Sequence, residues 1–230
     1  MDIEDPTPPS APIWVQKSLP DAWPERGIDA HESGGIFLEW QHNPEDNIAA
    51  YLVYRAEYFD YEDSLGEYIF VSIVENDSNT ELNYIDYSAN LRTSYYYKLV
   101  AEDKAQNLSL FSDSTEYTLL PSIDRETMHP NGNSDILNNN RLLYWNYYFD
   151  TEMEDYCLTV LALNNDLILR VQLSPTDYVN GRESWQIPDS VVLETDITFK
   201  WRIDIGARYI DHLETSGSES TWATFLYNNN

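Results

Sequence analysis

The residues able to do chemistry are few and scattered. Four histidines stand at His31, His42, His129 and His212, spread over both halves of the chain. No two sit at the short spacings through which a zinc site gathers its ligands. The single cysteine, Cys157, has no second cysteine to pair with, and the apolar alternation around it (Tyr156, Leu158, Val160) makes it an ordinary strand residue. No Gly-x-Ser-x-Gly elbow, Cys–His constellation or glycine-rich phosphate loop is present. With eight glycines in 230 residues, loops able to approach a ligand backbone are scarce. Forty carboxylates produce close pairs by chance, so they assign no acid–base dyad. The expectation is a non-enzymatic chain with no catalytic residue, no cofactor and no metal ligand.

Weaker candidates remain in the loops. Asn43-Pro-Glu-Asp-Asn47 and Asp150-Thr-Glu-Met-Glu-Asp155 concentrate the hard oxygen atoms that Ca²⁺ prefers. Neither has alternate ligands closed by a glutamate, so solvated acidic loops are expected. Arg26-Gly-Ile-Asp29 approximates the Arg-Gly-Asp of integrin ligands, but the inserted isoleucine moves the carboxylate. Trp14, Trp23 and the cluster Tyr58-Phe59-Asp60-Tyr61 are aromatics that could stack on sugar rings.

The elements that must position these residues are strands. Short apolar runs separated by polar turns recur at Ile36-Phe-Leu-Glu-Trp40, Ala50-Tyr-Leu-Val-Tyr-Arg55, Glu67-Tyr-Ile-Phe-Val-Ser-Ile-Val74 and from Leu108 to Leu120. No window of helical length shows an apolar period of 3.6 residues, and the pattern reads as all-β. In the run beginning Ser94-Tyr-Tyr-Tyr, alternation puts Tyr95, Tyr97, Leu99 and Ala101 on one face. Tyr96, Lys98, Val100 and Glu102 fall on the other. One apolar and one mixed face describe a layer of a sandwich with its outer side in water, so the tyrosine run is expected to serve the core.

The same pattern returns later. In Thr198-Phe-Lys-Trp-Arg-Ile-Asp-Ile205 the apolar Phe199, Trp201, Ile203 and Ile205 alternate with Lys200, Arg202 and Asp204. Leu38-Glu-Trp40 matches Leu143-Tyr-Trp145, and each tryptophan precedes a tyrosine, Tyr51 or Tyr156, by eleven positions. Trp40 to Tyr95 is 55 positions and Trp145 to Phe199 is 54, so the chain carries an internal repeat of about 105 residues. Residues 1–11 read as a Pro-rich acidic linker, 12–120 as one β-domain and 121–230 as a second, divergent copy.

These residues resemble a tandem pair of fibronectin type III domains. IFLEWQHNPEDNIAAYLVYR is similar to the second and third strands of that family, with Trp40 as its core tryptophan. YYYKLVAEDKAQNLS is similar to the sixth strand and following turn, with Tyr95 at the corner tyrosine. The pattern Ala101, Asp103, Asn107, Ser109 is especially like bacterial members, although Gln106 stands where a glycine is usual. In the second copy Phe199 replaces the corner tyrosine, and the Tyr54-Arg55 pair has no counterpart. The resemblance implies two tandem immunoglobulin-like antiparallel β-sandwiches of seven strands each.

Charge narrows the partners. Forty acidic and 13 basic residues give a net charge of −27, which repels nucleic acid and anionic membrane surfaces. No 18-residue apolar span is present, and the start Met-Asp-Ile-Glu-Asp-Pro has no signal-peptide character. The resemblance implies an extracytoplasmic binding or structural module, secreted or at a cell surface. Its acidic Pro-rich start looks like the tether of a bacterial lipoprotein, with any lipid anchor outside this sequence. A protein partner or a surface polysaccharide is expected; the alternative function is a carbohydrate-binding accessory module of a polysaccharide-degrading system.

Overall fold

Alternating apolar side chains need a second apolar layer to lie against, and the chain supplies one twice. The computed structural model describes residues 6–16, 26–77, 81–147, 155–174, 181–208 and 214–228. It divides into two units, one of residues Met1–His31 with Gly35–Leu119, the other of Glu32–Gly34 with Leu120–Asn230.

The first unit contains β1 (Ile28–Ala30), β2 (Ile36–Glu39), β3 (Ile48–Phe59), β4 (Ser64–Leu65), β5 (Ile69–Glu75), β6 (Asn83–Asp86), β7 (Ser94–Asp103) and β8 (Thr115–Leu119). One antiparallel sheet runs β1-β2-β6. The other runs β5-β3-β7-β8, with the two-residue β4 folded onto the end of β3. Without β4 these are seven strands split three and four, an immunoglobulin-like sandwich in which β2, β3 and β7 come second, third and sixth. Ile36, Leu38, Tyr51, Val53, Tyr95, Tyr97, Leu99 and Ala101 fill the space between the layers. The Trp40 ring lies 5.5 Å from Tyr51 and meets Trp14 edge-on at 6.5 Å. The tyrosine run therefore divides as its alternation requires: Tyr95 and Tyr97 are core residues and Tyr96 faces outward.

The second unit contains β9 (Ile136–Leu137), β10 (Leu142–Asn146), β11 (Asp155–Ala162), β12 (Leu167–Leu173), β13 (Arg182–Gln186), β14 (Thr198–Arg208), β15 (Glu214–Glu219) and β16 (Ala223–Tyr227). β10 pairs with β13, while β12, β11 and β14 build the larger sheet. β15 and β16 share the far edge of β14, and β9 joins β16 in parallel. Trp145 meets Tyr156 at 5.5 Å, the separation of Trp40 and Tyr51 in the first unit.

Two local devices recur or diverge between the copies. In each, a serine closes the long strand by bonding one residue through both main chain and side chain. The Leu99 N–H donates to Ser112 Oγ while Ser112 N–H donates to the Leu99 carbonyl, both at 2.9 Å. Ile203 and Ser220 repeat this pair at 3.0 Å in both directions. The corner diverges: Tyr95 OH accepts from Asn90 Nδ2 at 3.2 Å, whereas Phe199 has no hydroxyl and stacks on Phe225 at 5.4 Å.

Candidate functional site

Trp14, Asp29 and the acidic loop after β2 turn out to be occupied by the fold. Trp14 is buried at 7% exposure and its indole N–H donates to the Asp113 carbonyl at 2.8 Å, so it is a core residue and not available to stack on a sugar ring. Asp29 of Arg26-Gly-Ile-Asp29 lies in β1, buried, with Tyr117 OH donating to it at 3.4 Å, while Arg26 pairs with Glu39 at 3.0 Å. Trp23, His212 and the loop residues 150–154 lie outside the described residues.

The acidic loop after β2 is committed to its own chain. Glu45 accepts from Ser10 N–H at 2.9 Å and Ser10 Oγ at 3.1 Å, and Asn43 Nδ2 donates to the Ser10 carbonyl at 2.7 Å. The Ser10 main-chain hydrogen bond is the chief influence holding the Glu45 carboxyl below its usual range. Ser10 belongs to the stretch expected to be a linker, and Pro9 and Pro12 beside it are buried, so that stretch docks on the sandwich from Pro9 onward. Among the described residues no three His, Cys, Asp or Glu side chains converge on a point where a metal would sit.

Among the described residues the histidines and the cysteine form no common cluster. His31 stacks with Phe37 at 6.4 Å, His129 lies 4.8 Å from the Tyr144 ring, and His42 is exposed. Cys157 is half-buried on the face of β11 opposite Tyr156 and Leu158.

One buried polar cluster was not legible in the sequence. Arg55 points inward from β3 and its Nη1 meets Asp86 Oδ2 at 2.6 Å; the Asp86 side chain is 0% exposed. Tyr97 OH donates to the same oxygen at 2.9 Å, and Ser88 N–H and Oγ donate to Asp86 Oδ1 at 2.9 and 2.6 Å. The guanidinium also covers the Tyr95 ring at 4.3 Å. Burial pushes the Asp86 carboxyl up, but the Ser88 and Arg55 hydrogen bonds outweigh it and hold the group below its ordinary value. Burial, then the Asp86 charge, drives the Tyr97 phenol far above its ordinary value. Both carboxylate oxygens are engaged, and the cluster ties β3, β6 and β7 together as a structural ion pair.

What remains open is the outer face of β5, β3 and β7. The register places Leu52, Tyr54 and Ala56 of β3 beside Val100, Lys98 and Tyr96 of β7, with Ile73 and Phe70 of β5 on the other side. Tyr54 meets Phe70 edge-on at 5.9 Å and Phe111 at 5.2 Å; Tyr68 lies 6.3 Å from Phe111. Lys98 Nζ covers Tyr68 at 4.6 Å. Phe70, Phe111 and Ile73 are 54%, 48% and 47% exposed. At the rim, Tyr58 contacts Tyr96 at 5.9 Å and its hydroxyl bonds Asp63, while Tyr61 is fully exposed. A hydrogen bond to Glu116 raises the Tyr96 phenol to about 12.

The second unit keeps the core positions and abandons this surface. Where the first unit pairs Tyr54 with Phe70 and Leu52 with Ile73, the second pairs Thr159 with Arg170 and Cys157 with Gln172. Lys200, Arg202 and Asp204 stand in the places of Tyr96, Lys98 and Val100. A comparison of the two copies at their outward positions is the sequence signal that would have found the aromatic face.

No protein-family model matches the chain, and no curated protein matches it. Among solved structures, it is similar to the FN1-FN3 domains of chicken CNTN1, with TM-score 0.40 and 15% identity over 96% of this chain and 68% of that one. It is also similar to the chicken interferon gamma receptor alpha chain, with TM-score 0.34 and 12% identity over 95% of this chain and 98% of that one.

Proposed function

We propose that this chain is a non-enzymatic, extracytoplasmic module, secreted or held at a cell surface, that binds a partner protein through the aromatic face of its first sandwich. The observation that carries this reading is the contrast between the two copies. A fold that builds its second sandwich with Arg170 half-buried and Gln172 exposed at the matching positions has no structural need of Phe70 and Ile73 there. Exposed apolar surface of this kind is costly in water and is kept where something covers it. Glu57, Glu67, Glu75 and Asp113 are exposed in and around the strands and loop that build it. The partner that fits has an apolar centre flanked by lysine or arginine. The acidic N-terminal stretch ahead of Pro9 serves as tether.

Ring geometry weighs against the carbohydrate alternative. A sugar-binding strip presents ring faces in one plane, but Tyr54 stands at 73° to Phe70 and 84° to Phe111. The face of Tyr68 is taken by Lys98.

The test compares the wild type with a Phe70→Ser/Phe111→Ser variant, each incubated with native envelope and culture-supernatant fractions and crosslinked. A protein joined to wild type at this face and absent from the variant is the expected result. Retention of polysaccharide alone, lost in the variant, would give the site to the carbohydrate reading. Identical products from both proteins would remove the face from the function.

A further inference from the structure

The aromatic face ends at an open strand. β5 pairs with β3 on one side, and among the described residues it has no strand on the other. An unpaired edge presents a row of main-chain N–H and C=O groups that templates the addition of another strand. Proteins usually blunt such edges with lysine, proline or an inward-pointing charge. Ile69-Phe-Val-Ser-Ile-Val74 contains none of these.

The other copy shows the edge protected. β12 occupies the same place in the second unit and reads Leu-Ile-Leu-Arg-Val-Gln-Leu, with Arg170 at the position of Phe70 and bonded to Thr159 Oγ1 at 3.2 Å. The first unit has one partial safeguard, a register shift that leaves Val71 without a partner across β3. Ser72–Glu75 remain regular and open.

We propose that β5 accepts an extended segment of a partner protein as an added strand. Apolar side chains of that segment lie across Phe70 and Ile73, and its ends carry lysine or arginine against Glu67 and Glu75. The inference rests on the aromatic face being the binding surface and adds how the partner engages it. Charge decides against a second copy of this chain as the occupant, since each copy carries −27 and would bring Glu75 and its neighbours against like charge. Main-chain hydrogen bonds supply affinity in strand addition, and alternate side chains supply selectivity.

The test pans a library of short displayed peptides against the intact chain, then measures the enriched peptides by calorimetry and amide hydrogen exchange. Enriched sequences alternate β-branched or aromatic residues and carry basic ends. A synthetic copy slows exchange within Ile69–Glu75 about tenfold or more, and methylating its alternate main-chain nitrogens weakens binding about tenfold or more. No enrichment, or enriched peptides that tolerate this methylation, would overturn strand addition. Peptides that lose binding in Tyr54→Ser yet leave exchange in β5 unchanged would also overturn it, while sparing the aromatic face. Binding that ignores both Tyr54→Ser and Ile73→Lys would overturn the two together.

Discussion

Arg55 and Gln106 show how far single residues can be read. Arg55 is conspicuous in Tyr54-Arg55, but its partner Asp86 arrives from β6, 31 positions later, so no local pattern announces the pair. The folded protein holds the Asp86 carboxyl below its ordinary value of about 4. The stabilisation is therefore present above that pH and is lost as pH falls through the lower folded value. Asp86→Asn is expected to cost about 3–5 kcal/mol at neutral pH, because Arg55 is left buried without its counter-charge. Thermal melts from pH 7 down to below pH 4 check this: the variant loses much of the wild type's fall in acid. The turn after β7, by contrast, was legible. Asp103 Oδ1 accepts the N–H groups of Ala105 and Asn107 at 2.8 Å, and Ser109 Oγ accepts from Ala101 N–H at 2.9 Å. Gln106, the departure from the usual glycine, has φ of 67°, where a side chain strains the backbone. Gln106→Gly is expected to raise stability by about 0.5–1 kcal/mol, read as a higher urea midpoint with unchanged slope.

At the scale of elements, apolar runs and alternation revealed β2, β3, β5, β7 and β14 and missed β1 and β6. β1 and β6 have three and four residues and each contains a buried aspartate, Asp29 in the middle of β1 and Asp86 at the end of β6, so polarity interrupts their pattern. The run from Leu108 to Leu120 reads as one strand, yet only Thr115–Leu119 forms one. Ahead of it, Ser109 and Ser112 take over the pairing of β7 through their hydroxyls. Ser112→Ala leaves the buried Leu99 N–H without its acceptor and is expected to cost about 1–3 kcal/mol. Urea titration checks it, and Ser220→Ala behind Ile203 is the matching control.

At the scale of the molecule, the repeat was legible because core spacing is a geometric requirement. Trp40 must reach Tyr51 and Trp145 must reach Tyr156, and a sandwich permits few ways to do so. Outward positions carry no such requirement, and the aromatic face emerged only when the strands were set side by side. Charge acts on the whole chain as well. With a net −27 the folded state repels itself, so added sodium chloride is expected to raise Tm until the repulsion is screened. A melting temperature that falls with salt would assign the excess acid to pairs and not to general repulsion.

The bond between Ser10 and the loop at Glu45 has a mechanical side. A load applied at residue 6 reaches Ser10 before Trp14, and Trp14 is seated against Trp40. Tension would release the polar contacts at Ser10 first and reach the Trp14–Trp40 packing only afterwards. In force spectroscopy with a handle ahead of residue 6, a short extension is expected at low force before the sandwich yields. Glu45→Ala combined with Asn43→Ala, which removes both side chains that hold Ser10, should erase that first step and leave the second in place. The Ser10 contact would then act as a weak link that absorbs a tug before the fold feels it.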